Sequence, residues 1–120
     1  MLNQSAVLDR TLQALADPAR RAMVERLARG AASVSELARP LAMSLPAVMQ
    51  HLAVLEKAGV VATEKRGRVR TCRIEPQALH QVEAWVQARR AEWERRLDRL
   101  GDYLAELQAG DNGGTDGSER

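Results

Sequence analysis

The spacing of apolar and polar positions changes several times along the chain, and each change marks an element. Leu8, Leu12 and Leu15 recur at helical spacing on one face, which predicts a short first helix over about residues 8–15 after a loose segment 1–7. Asp17 stands directly before Pro18, a capping side chain followed by a proline whose missing N–H costs nothing at a helix start. A second helix therefore runs from Pro18 to about Arg29, with Met23, Val24 and Leu27 inward and Gly30 ending it. Ser33-Val34-Ser35-Glu36 has the form of a capping box and opens a short third helix through about Leu41. Ser44 caps a fourth helix, Pro46 sits in its first turn and Gly59 closes it. On that helix Leu45, Val48, Leu52 and Leu55 form the expected core face, while Ala47, Gln50, Val54 and Lys57 lie opposite, flanked by Pro46 and Ala53.

The period then falls to two. Val60, Ala62 and Glu64 alternate with Val61, Thr63 and Lys65. Beyond the turn at Arg66-Gly67-Arg68, Val69, Thr71 and Arg73 alternate with Arg70, Cys72 and Ile74. This predicts a β-hairpin, stopped by Pro76. Helical spacing returns from about Gln77 to Gln108, with a break expected near residues 80–82. Val86, Trp93, Leu100 and Leu107 repeat every seven residues, with Leu97 and Leu104 interleaved, as in a coiled-coil seam. The reading is one domain over residues 1–108 followed by a disordered, Gly- and Asp-rich tail, 109–120. Its class is mostly α with a β-hairpin, a winged helix-turn-helix carrying a long C-terminal dimerisation helix.

Composition narrows the function. Apolar residues make up 45% of the 120, but aromatics only 2%, so a core of Leu, Val, Ala and Met suits packed helices. The net charge of +2 hides a segregation. Residues 1–75 hold twelve Lys/Arg against seven Asp/Glu, and residues 60–75 alone hold five against two. Such a local basic patch is what phosphate contact requires. No apolar run approaches the roughly 20 residues of a membrane span, and the N-terminal residues lack a basic segment followed by an apolar one, so no membrane partner and no secretory leader are expected. The single cysteine, Cys72, excludes an internal disulfide and fits a reducing, cytoplasmic location.

Several segments, in this order, resemble the ArsR/SmtB family of bacterial transcriptional repressors. They are "LADPARRAMVERLARG", "SVSELA" followed by "MSLPAVMQHLAVLEKAGVV", and "EKRGRVRTCRI". The resemblance covers about residues 6–108 and is most specific in "HLAVLEKAGVV". Trp85 and Trp93 on the last helix are similar to the branch of that family without metal ligands. The resemblance implies a homodimer that binds a palindromic double-stranded DNA operator and represses transcription, often of its own gene.

In a helix-turn-helix the N-terminal half of the second helix enters the major groove, which nominates Ser44, Pro46, Ala47, Met49, Gln50 and Ala53. Gln50 can pair with adenine and Ala47 can meet a thymine methyl. Arg66 and Arg68 at the wing tip suit a narrow minor groove, and Lys65 and Arg70 suit phosphates. Arg20 and Arg21 divide evenly between backbone contact with DNA and pinning the fold by salt bridges. The Val86/Trp93/Leu97/Leu100/Leu104/Leu107 stripe, with Leu8 and Leu12 of the first helix, is the expected dimer seam. Where the family's metal-sensing branch has Cys-Val-Cys-Asp-Leu, this chain has Ser33-Val34-Ser35-Glu36-Leu37, and the last helix has only His80. Serine is a poor ligand for soft metals, so no metal and no cofactor are expected. His51 reads as structural, and Cys72 as a half-buried strand thiol rather than a redox switch. There is no nucleophile with a nearby base and no phosphate-cradling loop, so no enzyme is expected. The alternative is a winged-helix module that binds a protein partner, against which the basic wing tip argues.

Overall fold

The computed structural model describes residues 4–119, with side chains described for 6–110. It comprises α1 (Gln4–Ala14), α2 (Pro18–Leu27), β1 (Ala32–Ser33), α3 (Val34–Ala38), α4 (Leu45–Lys57), β2 (Val61–Arg66), β3 (Val69–Ile74) and α5 (Pro76–Glu119). Two compact units are distinct, the first ending at Glu83 and the second beginning at Ala84 within α5.

Local chemistry accounts for most boundaries in the first unit. Asp17 Oδ1 accepts the N–H groups of Ala19 at 2.8 Å and Arg20 at 3.2 Å, which opens α2. Ser33 Oγ accepts the Glu36 N–H at 3.1 Å while the Glu36 carboxylate accepts the Ser33 N–H at 2.8 Å, the full reciprocal capping box. Ser44 Oγ accepts the Ala47 N–H at 3.3 Å to start α4. At the other end, Val60 N–H donates to the Leu55 carbonyl at 2.9 Å and Gly59 N–H to the Glu56 carbonyl at 3.0 Å, with Gly59 at φ +81°. That pair of bonds and the left-handed residue make a Schellman closure, which places glycine there for a steric reason.

The hairpin forms as expected, with Arg66 opposite Val69 and a two-residue Gly67-Arg68 turn. Gly67 has φ +62° and, among the described residues, no non-glycine residue has positive φ, so Arg68 takes the negative φ that a type II′ turn requires. The sheet has a third strand that periodicity did not predict. β1 pairs antiparallel with β3, Ala32 opposite Cys72, so the order is β1-β3-β2. Two residues are too few to show alternation.

The core gathers Met23, Leu27, Leu37, Val48, Leu52, Leu55, Val60, Val61 and Cys72, with Ala14, Ala32, Val34 and Ala78 between them. Val24, Leu15, Leu41 and Ile74 pack at its edge. Buried Thr11 keeps its hydroxyl satisfied by donating to the Val7 carbonyl at 3.0 Å.

Five expectations need correction. The first helix begins at Gln4, not near residue 8, because half-buried Ala6 and Val7 already pack; residues 1–3 of the supposed loose segment lie outside the described residues. The third helix ends at Ala38 because Pro40 has no N–H to continue it. Leu45, expected in the core, is 51% exposed. As the first residue of α4, it leans past the helix start, beyond the packed layer. Cys72 is fully buried rather than half-buried, because its side chain lies on the sheet face turned into the core cluster. Finally, α5 has no break near residues 80–82, a segment without Gly or Pro, and its backbone stays helical through Glu119, past residue 108.

Candidate nucleic-acid interface

The N-terminal half of α4 presents a face with little hydrogen-bonding capacity. Ser44, Pro46, Gln50 and Ala53 are exposed, Ala47 is half-buried, and Met49 is 41% exposed. Beside this face runs a groove of about 380 Å³ between α4, the start of α3 and the hairpin. Leu45 and Met49 line one side, and Lys65, Arg68, Val69 and Arg70 line the other. The hairpin register places two of the groove's cations. Lys65 and Arg70 are cross-strand partners on the same face as Thr63 and Cys72, the face turned toward the core. Arg66 pairs with Val69 next to the turn, and of the two only Val69 lines the groove.

The cations differ in freedom. Lys65 and Arg68 are exposed and enter none of the ion pairs among the described residues. Arg66 meets Glu64 at 3.1 Å, but both side chains are largely exposed, and such a pair holds a side chain by about 1 kcal/mol or less. Arg70 is half-buried and donates to Thr63 Oγ1 at 3.0 Å, while the Thr63 hydroxyl donates to Glu56 Oε2 at 2.9 Å. This chain of bonds ties the last turn of α4 to the wing and fixes the angle between the two parts of the site.

Arg20 and Arg21 are held within the fold, though not by salt bridges. Arg20 Nε donates to the Ala14 carbonyl at 2.6 Å and Nη2 to the Gln13 carbonyl at 3.2 Å, at the end of α1 where carbonyls run short of helical donors. Its Nη1 lies 3.3 Å from His51 Nδ1, so α1, α2 and α4 are linked through one guanidinium. Arginine can only donate, so the contact is a hydrogen bond in the tautomer that leaves Nδ1 as the acceptor. Arg21 Nη1 donates to the carbonyls of Leu15 at 2.8 Å and Ala16 at 3.0 Å. Residue types alone gave no signal of these contacts, which close a turn between two helices.

Titration follows from the same contacts. The Arg20 N–H, and less so that of Ala19, holds the Asp17 carboxyl below its ordinary value. The Ser33 N–H does the same for Glu36. Burial pushes the Cys72 thiol up, and nearby Arg70 only partly offsets it. Ser33 is committed to the capping box, and His80 sits 3.8 Å from Glu83 on the exposed side of α5. Among the described residues no three His, Cys, Asp or Glu side chains gather as metal ligands would.

In the second unit, Val86, Trp93, Leu97, Leu100, Leu104 and Leu107 all stand 41–60% exposed along α5. In the first unit, Leu12 is 43% exposed and Leu8 half-buried.

Comparison with known proteins fits this geometry. Residues 15–64 match a helix-turn-helix domain family. A crystallised ArsR family transcriptional regulator, RHA00566, is 49% identical and superimposes with a TM-score of 0.73 over 78% of this chain and 97% of its own. The chain belongs to the ArsR/SmtB family of winged helix-turn-helix transcriptional regulators. The HTH-type transcriptional regulator Rv2034 of Mycobacterium tuberculosis is 52% identical over 71 residues, 59% of this chain and 66% of that protein. The HTH-type transcriptional repressor SmtB of the same species is 46% identical over 57 residues, 48% of this chain and 42% of its own. The match thus spans less than two thirds of either curated relative's length. The homodimeric winged helix-turn-helix DNA-binding domain of Mb0332 from Mycobacterium bovis is 25% identical, with a TM-score of 0.59 over 77% of this chain and 89% of that domain. In this ArsR/SmtB chain no helix among the described residues is long and apolar enough to cross a membrane.

Proposed function

We propose that this ArsR/SmtB chain is a cytoplasmic homodimeric repressor, without catalysis or cofactor, that binds a palindromic operator in double-stranded DNA. The observation carrying this reading is the groove in which the exposed start of α4 faces Lys65 and Arg68, two cations with no carboxylate partner among the described residues. Helix α4 lies in the major groove with Ser44, Pro46, Ala47, Met49, Gln50 and Ala53 toward base edges. Arg66 and Arg68 enter the adjacent minor groove, and Lys65 takes a phosphate. Arg70 joins it while keeping its Thr63 bond. The repressor named SmtB and the homodimeric Mb0332 domain support the partner assignment. One helix-turn-helix makes few base contacts, and two copies one DNA turn apart, roughly 34 Å, make a binding site specific enough to use. The α5 stripe with Leu8 and Leu12 supplies the seam. A dimer bound across a promoter excludes polymerase.

The test is a fluorescence-anisotropy titration against the DNA upstream of the protein's own gene at two salt concentrations, with scrambled DNA as competitor. Specific binding should survive the competitor. The double substitution Arg66→Ala, Arg68→Ala should weaken it, and the salt slope should flatten by about 0.9 for each phosphate no longer neutralised. Unchanged affinity and slope would remove the wing from the interface. Equal affinity for both DNAs would favour a protein-binding winged helix.

A further inference from the structure

The reading face of α4 is short of groups that distinguish bases by hydrogen bonding. Along its first nine residues the exposed or half-exposed side chains are Leu45, Pro46, Ala47, Met49, Gln50, His51 and Ala53, and none carries a fixed charge. Gln50 is the one amide, and His51 is engaged by Arg20. The rest of the face is apolar. Leu45 and Met49, one turn apart, are 51% and 41% exposed, and both open into the groove toward Val69, itself 53% exposed. An exposed apolar pair rimmed by cations complements a ligand that pairs an apolar group with nearby negative charge.

Base edges in the major groove offer one apolar group, the thymine 5-methyl. It lies on the groove wall close to the phosphates of its own strand. In a winged-helix complex that strand passes between the helix in the major groove and the wing in the minor groove. Resting on the DNA-binding reading above, we propose that the α4–wing groove is a thymidine site. The methyl packs on Leu45 and Met49, and adjoining phosphates lie on Lys65 and Arg70, cross-strand partners that both line the groove. Leu45 and Met49 then determine specificity, and each operator half-site carries thymine at the position they cover. The 380 Å³ groove admits the edge of one nucleotide and not a folded segment.

The experiment selects duplexes with the full-length protein from a random-sequence DNA library. The enriched duplex is then remade with deoxyuridine in place of each thymidine, one at a time. Deoxyuridine pairs identically and lacks only the methyl. Losing one buried methyl should weaken binding about fourfold at one thymine in each half-site. With Leu45→Ala or Met49→Ala, whose native side chains are half-exposed and outside the core, the thymidine/deoxyuridine ratio at that position should fall to about one. If every deoxyuridine duplex binds the unmodified protein as well as its parent, the proposal is overturned while DNA recognition stands. A ratio that persists in both alanine variants also overturns it, because other residues would then hold the methyl. If no duplex is enriched, the DNA-binding reading falls and the thymidine site falls with it.

Discussion

Leu100→Asp tests the dimer seam most directly. Leu100 is 51% exposed, in the middle of a stripe whose members are all exposed within one chain. Complete burial of a leucine is worth roughly 1.5–3 kcal/mol, so covering the exposed half contributes about 1 kcal/mol per protomer. A twofold interface counts that gain twice, once on each α5. Aspartate removes it and adds a carboxylate with no partner on each side, at several kcal/mol per buried ion before relaxation. A total of at least about 3 kcal/mol raises the dimer dissociation constant more than roughly 100-fold. The core residues all lie in the first unit, so the variant should keep its helical signal. Sedimentation equilibrium at micromolar protein should show monomer for Leu100→Asp or Trp93→Asp, and dimer for Arg95→Asp, which lies on the opposite side of the helix. The DNA affinity of the monomeric variants should drop in parallel. An intact Leu100→Asp dimer at these concentrations would refute the seam, whatever its effect on DNA.

Three further outcomes follow from the first unit. Gly59→Ala should destabilise the fold by about 1–2 kcal/mol, read as a lower urea midpoint. A Cβ at Gly59 would meet nothing within 4 Å, so the whole cost is the left-handed backbone, and an unchanged midpoint would contradict the Schellman assignment. Asp17 and Glu36 have folded pKa values below their unfolded ones. Their contribution is therefore complete above the unfolded carboxylate pKa, near 4, and is lost as pH falls through the folded value. Urea midpoints between pH 7 and pH 3 should drop less steeply for Asp17→Asn, which still accepts the capping bonds but does not titrate; equal slopes would discount the cap. Cys72, fully buried with its pKa raised, should react with a thiol reagent only slowly in the native protein and at once in urea. Rapid stoichiometric labelling of the folded protein would reopen a redox role.

The elements visible in the sequence were those whose signal is local. Asp17-Pro18, the Ser33–Glu36 box, Ser44 and Gly59 each satisfy backbone groups within a few residues of themselves, and all four sit where that chemistry put them. What escaped depends on distant partners. Strand β1 exists because β3 offers it a ladder about 40 residues on. The arginine pair was ambiguous because the Arg20–His51 contact spans 31 residues. Leu45 satisfied the helical wheel, but a wheel has no ends, and a first-turn residue overhangs the layer its face belongs to. The cations of the wing were visible as a cluster. Which of them line the groove beside α4 became clear only with the fold, which sets Lys65, Arg68 and Arg70 there and leaves Arg66 out.

The placement of the aromatics carries the same logic one step further. The chain has two tryptophans, one tyrosine and no phenylalanine. None is in the core, which closes on aliphatic side chains and Cys72 alone. Trp85, Trp93 and Tyr103 all lie on α5, 44%, 60% and 57% exposed, with Arg89 stacked over Trp85 at 5.4 Å. Aromatic residues gain the most from burial and are enriched among the anchors of protein interfaces. A chain folding only for itself would use them inside, where aromatic burial contributes most to stability. Keeping all three on an exposed helix supports the proposal that α5 meets a second copy, with the aliphatic first unit left to hold α4 and the wing at a fixed angle.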